Sequence, residues 1–455
     1  MKTLFRTKPI RADVSSLRRC LTAVDLTLMG IGAIIGAGVF VLTGVAAAVD
    51  AGPAITISYI ISGLACLFAA LSYAELASSV GGCGSAYSYS YASFGEFIAW
   101  IIGWDLLLEY TMSVSTVAIG WSGYVKDALL SMHIDLPLAF RNNPFEGGII
   151  NLPAVIIIAI LMTLLCIGAK TSARFNAAIV FIKLSAIAVF IAVASNNIHI
   201  NYWNHFFPFG WTGVMNGAAL VFFAYIGFDA VSTAAEETIN PQRNLPIGII
   251  LSVTICTIIY IVVAALLTGI TPYSKLNVTS PVAAALLQIG HPIAAGIIAA
   301  GAIAGLTTVM LVMYYGLTRV CLAISRDGLL PPFFARVYHR THSPVRIILL
   351  SGVVIAAIAG FVPIGEAAEL VNIGTLAAFV LVCCGVIILR FTQPNLSRPF
   401  KLPWNPVIPS LGILFCVYLM LHLPKITWLR FIIWLIIGLA IYFSYSKKHS
   451  FLKKI

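Results

Sequence analysis

Long apolar runs recur along the whole chain, separated by polar stretches of at most roughly twenty residues. At about 20 residues per membrane-crossing helix, these runs predict helices near 26–49, 53–77, 97–125, 150–169, 174–195, 212–235, 246–270, 292–324, 346–362, 368–390, 407–423 and 428–446. The pattern is that of an all-α polytopic membrane protein with about 12 spans and no soluble domain.

Two spans are interrupted. The first carries GIGAIIGAGVF (30–40), with Gly30, Gly32, Gly36 and Gly38 inside one apolar run. The sixth carries FFAYIGFDA (222–230), with Gly227 mid-span and Asp229 just beyond. Spans one to five occupy 26–195 and spans six to ten occupy 212–390, so each interruption falls in the first helix of a five-helix block. An odd number of helices gives the two blocks opposite orientation, and matched interruptions in inverted halves point to a binding site at the membrane midplane.

The physical basis is the cost of unpaired backbone. Free N–H and C=O groups cost several kcal/mol each in hydrocarbon, so irregular backbone persists only where protein or water satisfies it. A broken helix offers N–H groups at the start of its second half, suited to a carboxylate. Its unwound carbonyls suit an ammonium. The two together describe a zwitterion, an amino acid. Small-residue spacing such as Gly32-xxx-Gly36 also serves close helix packing, and the first stretch alone does not separate the two roles.

Composition agrees with the span pattern. The chain is 60% hydrophobic and 9% charged, against about 25% charged in soluble domains, and its mean hydropathy is +1.00. The net charge of +11 is distributed by topology. With the N-terminus inside, the cytoplasmic side collects Lys2, Arg6, Lys8, Arg11, Arg18, Arg19, Lys170, Arg174, Arg243, Arg326, Arg336, Arg340, Arg346, Arg390, Arg398, Lys401, Lys447, Lys448, Lys453 and Lys454. The opposite side keeps Lys126, Arg141, Lys275, Lys425 and Arg430. This asymmetry follows the positive-inside rule and predicts both termini in the cytoplasm of a multi-pass protein of the inner (plasma) membrane. It removes the case for a nucleic-acid partner.

The first 25 residues lack the apolar run and small-residue cleavage site of a signal peptide. The nine cysteines lie mostly in apolar spans and form no CxxC, which predicts free thiols and no metal site. No P-loop, GxSxG or nucleophile–base constellation occurs, so the expected protein is not an enzyme and uses no cofactor.

Lys183 stands in FNAAIVFIKLSAIAVFIAVA, with eight apolar-run residues before it and about twelve after it. A charge at helix centre costs at least about 2.5–3.5 kcal/mol on insertion scales, so an intramembrane lysine is functional by default. Burial disfavours the charged form of an amine, which suits it to reversible proton carriage. Glu109 and Asp229 also need partners at their depth; Asp229 is a candidate cap for the second half-helix. Glu236, Glu237 and Asp25 read as gate or solvated positions near a span end.

GIGAIIGAGVFVLTG (30–44), GSAYSYSYASFGEF (84–97), GWDLLLEY (103–110), FFAYIGFDAVSTAAEETINPQRNLPIGI (222–249), GLTTVMLVMYYGLTR (305–319) and SRDGLLP (325–331) resemble the cationic amino acid transporter family of the amino acid–polyamine–organocation superfamily. The resemblance covers about residues 16 to 446. It implies the five-plus-five inverted-repeat fold shared with sodium-coupled neurotransmitter transporters, with spans one and six broken and two helices appended. The implied organisation is a cytoplasmic segment 1–25, repeats 26–195 and 212–390, two further spans within 407–446 and a cytoplasmic tail 447–455.

The resemblance also implies site roles. The substrate carboxylate meets the N–H groups of Gly36, Ala37 and Gly38, and its amine meets carbonyls near Ile34, Phe223, Ala224 and Ile226. Phe223 is the covering aromatic gate, and Met313 bounds the side-chain pocket. Ala37 stands where relatives often carry a hydroxyl, which removes a side-chain contact. Lys183 matches the fifth-span lysine of proton-coupled members, with Gly32 and Ile35 carbonyls and the Thr307 and Thr308 hydroxyls as partners. The expected function is proton-coupled symport of small neutral or apolar L-amino acids by alternating access, driven by a proton gradient. Exchange of amino acids or polyamines, cationic amino acid uptake, and amino acid sensing are the alternatives. The expected partners are the substrate and the lipid bilayer, with a monomer as one possible state.

Overall fold

The computed structural model describes residue 6 and residues 21–80, 85–167, 172–338 and 343–451. Lys2, Lys8, Arg11, Arg18, Arg19, Lys170, Arg340, Lys453 and Lys454 lie outside them, as do the side chains of Arg174, Glu236 and Glu237. The described chain is helical, and its only strand-like pairings are two isolated bridges, Leu21 with Thr238 and Tyr338 with Ser343.

Eight helical stretches are long and apolar enough to cross a membrane. One of them, Ala23–Ser79, holds two spans, because the chain reverses at Gly52 (φ +62°) and Pro53. Three shorter apolar helices, Leu152–Ile167, Val345–Phe361 and Val407–Leu421, bring the described spans to twelve. Span 1 is Ala23–Ile34 followed by 38–51; spans 2 to 5 are Ile55–Ser79, Glu96–Ser131, Leu152–Ile167 and Ser172–Ser195. Span 6 is Gly210–Val221, Phe222–Tyr225 and Phe228–Glu237; spans 7 to 10 are Pro241–Ile270, Pro292–Arg326, Val345–Phe361 and Ile364–Thr392. Spans 11 and 12 are Val407–Leu421 and Lys425–Ile441.

Local signals set the ends. Thr22 and Asp25 form a reciprocal capping box at the start of span 1, with Thr22 N–H on Asp25 Oδ2 at 2.9 Å. Asp25 is therefore a cap in this structure. Proline opens spans 7 and 8, where its missing N–H costs nothing. Two short helices escape the apolar-run pattern. Ala86–Ser93 is aromatic and polar, and Pro281–Gln288 is a loop helix whose Pro281 packs against Gly44 of span 1.

Burial sorts the spans into centre and periphery. The apolar windows of Ala23–Ser79 and Gly210–Ala235 are each 89% buried, whereas that of Lys425–His449 is 22% buried. Spans 4 and 12 turn outward stripes of Ile156, Ile160 and Leu164, and of Ile432, Ile433, Ile436 and Ile437. Such exposed aliphatic rows match a hydrocarbon surround. The broken spans are thus enclosed by protein, the one setting in which irregular backbone is tolerated at membrane depth.

Candidate functional site

The two interruptions meet each other. Gly38 lies so close to span 6 that a Cβ there would stand 2.2 Å from both Cα and Cβ of Ala224. Gly227 faces back, and its own Cβ would meet Ala33 O at 2.9 Å. The remaining glycines of the opening stretch mark other close approaches: Gly30 to Ser252 of span 7, Gly32 to Asn176 of span 5, Gly36 to Val309 of span 8. Packing and helix interruption are both present in GIGAIIGAGVF.

The backbone of span 1 leaves the helix at Ile35, with φ −72° and ψ 102°. That is extended conformation open to any residue. Span 6 breaks through a 3₁₀ turn, Phe222–Tyr225, then extended Ile226 (φ −62°, ψ 136°) and left-handed Gly227 (φ +116°). The second half of span 6, Phe228–Glu237, is 3₁₀ rather than α-helical.

Carbonyls released by the breaks are met by side chains from other helices. Tyr260 of span 7 points its hydroxyl at both Ile34 O (2.8 Å) and Ala224 O (2.9 Å). Within the second half of span 1, Gly38 O, which already accepts from Thr43 N–H, also takes the Tyr59 hydroxyl at 3.2 Å, and Phe40 O takes that of Tyr124 at 2.7 Å. Asn372 of span 10 donates to Ala219 O and Leu220 O at 2.8 and 3.3 Å. The N–H groups contrast with these carbonyls. No bond outside the helices, among the described residues, uses the N–H of Gly36, Ala37 or Gly38, and the first N–H groups of a helix have no partner within it.

These N–H groups border a cavity. It is lined by Ala33, Ile34, Gly36, Ala37 and Gly38 of span 1 and by Phe223 and Ile226 of span 6. Ser113 and Val117 of span 3 and Val309 and Met313 of span 8 complete the wall. Phe223 is 5% exposed and turns to the cavity, so it does not face lipid. Ala224 is placed otherwise: it packs on Gly38, does not line the cavity, and gives its carbonyl to Tyr260.

On the other side of span 1, Lys183 is completely buried and donates from Nζ to Gly32 O at 2.7 Å and to Ile35 O at 2.9 Å. Neither carbonyl's residue lines the cavity. The lysine stem packs on span 8 at Gly305, where a Cβ would meet Lys183 Cδ at 3.1 Å. Thr307 and Thr308 do not bond the ammonium. Thr307 accepts from Trp121 Nε1 at 3.0 Å and donates to Ile303 O; Thr308 donates to Gly305 O at 2.7 Å. Helix geometry explains the difference. Span 8 meets span 5 through Gly301 and Gly305, and Thr307 is rotated roughly 200° from Gly305. Thr308 lies near the correct face, but its hydroxyl is turned to its own backbone.

Asp229 belongs to the first turn of the second half of span 6, two residues after Gly227. Its carboxylate accepts from the Tyr110 hydroxyl of span 3 at 2.5 Å. Glu109 is buried on span 3, and one of its oxygens has no hydrogen-bond partner. Tyr260, Tyr59, Tyr124 and Asn372 carry no signal in the sequence, because a polar residue in an apolar run bears no mark of which distant carbonyl it serves.

A twelve-span bundle whose two broken helices face one another around a cavity is the architecture of a membrane permease. The chain belongs to the amino acid permease family, whose model matches residues 21–444, within the amino acid–polyamine–organocation superfamily. It is 50% identical to the branched-chain amino acid permease BcaP of Bacillus subtilis (strain 168), over 98% of each chain. It is 48% identical to the methylthioribose transporter of the same organism, over 100% of each chain. Identity to human cationic amino acid transporter 4 is 30%, covering 98% of this chain and 90% of the relative. The protein is a multi-pass membrane permease.

Proposed function

We propose that this chain is a secondary active, proton-coupled symporter of neutral L-amino acids with small or apolar side chains. The observation that carries the reading is the position of Lys183. Its Nζ holds the carbonyls of Gly32 and Ile35, immediately beside the break whose N–H groups border the cavity. Substrate site and candidate proton site therefore share one short piece of backbone.

The substrate carboxylate sits on the N–H groups of Gly36, Ala37 and Gly38, where the dipole of the second half-helix favours negative charge. The substrate amine takes the carbonyl side, near Ile34, Phe223 and Ile226. Tyr260 reaches the same region, and its single proton serves one of two carbonyls at a time. Ile34, whose residue lines the cavity, thus keeps a carbonyl lone pair for an ammonium. The side chain lies among Val117, Val309 and Met313, with no acidic residue in that wall to pair a cationic substrate.

Proton coupling follows from the strength of charge-assisted bonds, roughly twice that of neutral ones. A protonated Lys183 binds the end of the first half of span 1 to spans 5 and 8. Loss of the proton weakens that tie and frees the half-helix to move, so that occupancy of the neighbouring site and release of the proton bias the same element. The protein works in the plasma membrane with both termini cytoplasmic, in line with its basic-residue distribution and its bacterial relatives.

A second reading is favoured by the 48% identity to a methylthioribose transporter. That solute has no carboxylate for the N–H groups of residues 36–38. Uptake into proteoliposomes under an imposed pH gradient, with branched-chain, small, cationic and thioether-sugar competitors, separates the two. Inhibition by neutral L-amino acids supports amino acid symport. Inhibition by methylthioribose alone overturns it.

A further inference from the structure

The cavity wall on spans 3 and 8 is apolar but for one side-chain atom. Ser113 is 2% exposed and lines the cavity beside Val117, one turn along span 3. Opposite stand Val309 and Met313, likewise one turn apart on span 8. The Ser113 hydroxyl has no hydrogen-bond partner. Its neighbours behave differently. Ser115 and Thr116 return their hydroxyls to the carbonyls of Thr111 and Met112 at 2.9 and 2.8 Å, the usual way a helical hydroxyl is satisfied at membrane depth.

A buried hydroxyl left without a partner is a cost that a bound molecule can remove. The carboxylate and amine of an amino acid are served by span 1 and span 6 backbone, on a different wall. The Ser113 hydroxyl is therefore left to the substrate side chain. We infer that Ser113 is a specificity-determining residue, selecting neutral amino acids whose side chain carries a hydroxyl, threonine above all, over apolar amino acids of the same shape. The inference rests on the proposal that the cavity binds amino acids.

The physical case is sharpest for threonine and valine, which have almost the same volume and branching. Val117, Val309 and Met313 contact the methyl groups of either. Only threonine can exchange a hydrogen bond with Ser113. A site holding a hydroxyl for its substrate penalises the analogue that lacks one, and one net hydrogen bond is worth about three- to tenfold in affinity.

The test is competition by L-threonine and L-valine against a labelled neutral amino acid in proteoliposomes, with wild type, Ser113→Ala and Ser113→Thr. Wild type is expected to favour threonine over valine by about three- to tenfold. Ser113→Ala is expected to erase or invert that ratio, and Ser113→Thr, which keeps the hydroxyl, to retain it. An unchanged ratio in Ser113→Ala overturns the inference and leaves amino acid transport standing. A wild type that favours valine overturns it as well. Failure of every amino acid to compete in wild type removes the underlying reading, and this inference with it.

Discussion

Spans 1 and 6 are broken at facing points, yet by different means. In span 6 the chain passes through Gly227 at φ +116°, a conformation that L side chains rarely adopt. In span 1 the turning residue is Ile35, in ordinary extended backbone. Its flanking glycines answer a separate need, which is room. Gly36 admits Val309 and Gly38 admits Ala224. The same residue type thus does conformational work in one break and steric work in the other.

What holds the breaks open also differs. The span 1 break is held from both sides, by Lys183 on Gly32 and Ile35 and by Tyr260 on Ile34. The span 6 break shares Tyr260 through Ala224, while Asn372 serves Ala219 and Leu220 just before it. Among the described residues, Tyr260 is the one side chain that hydrogen-bonds carbonyls of both breaks. Lys183, a titratable cation, bonds carbonyls of span 1, and the proposed proton coupling rests on that contact.

Four substitutions break or sharpen this comparison. Gly38→Ala has the largest expected effect, because its Cβ would strike Ala224 backbone at 2.2 Å; uptake should fall to background, with a lowered melting temperature. Gly227→Ala forces a side chain into left-handed backbone against Ala33 O. A loss of about 1–3 kcal/mol of stability is expected, read by thermal unfolding in detergent. Tyr260→Phe strips the hydroxyl from two buried carbonyls and should raise the KM for substrate severalfold, with a stability loss of about 1–3 kcal/mol. Ile35→Val should be mildest, at about 0.5–1.5 kcal/mol with transport retained, since its backbone suits any residue. An Ile35→Val protein as damaged as Gly227→Ala would contradict the distinction drawn between the breaks.

Much of this architecture is legible in the amino-acid sequence. Apolar run length locates the spans, since bilayer thickness imposes it on every helix. The helices 86–93 and 281–288 are not legible, both being too short to register as spans and the first also polar. Lys183 is conspicuous because a charge at that depth has no inert explanation. Its reach to Gly32 and Ile35 comes through family resemblance; of the companion threonines, Thr307 is rotated away and Thr308 turns its hydroxyl to Gly305 O. Tyr260 illustrates the limit. It is one of 17 tyrosines and lies 226 residues from Ile34. Nothing local distinguishes it from a core aromatic. Ser113 is silent for the same reason: only the folded chain shows which hydroxyl lacks a partner.

The central claim is that the proton acts through Lys183 on span 1. The direct measurement is paired uptake in proteoliposomes by wild type and Lys183→Ala, once with an inward-acid pH gradient and once as amino acid counterflow without a gradient. The account predicts that wild type concentrates substrate under the gradient, whereas Lys183→Ala retains counterflow but accumulates none. Accumulation by Lys183→Ala at the wild-type level would contradict it.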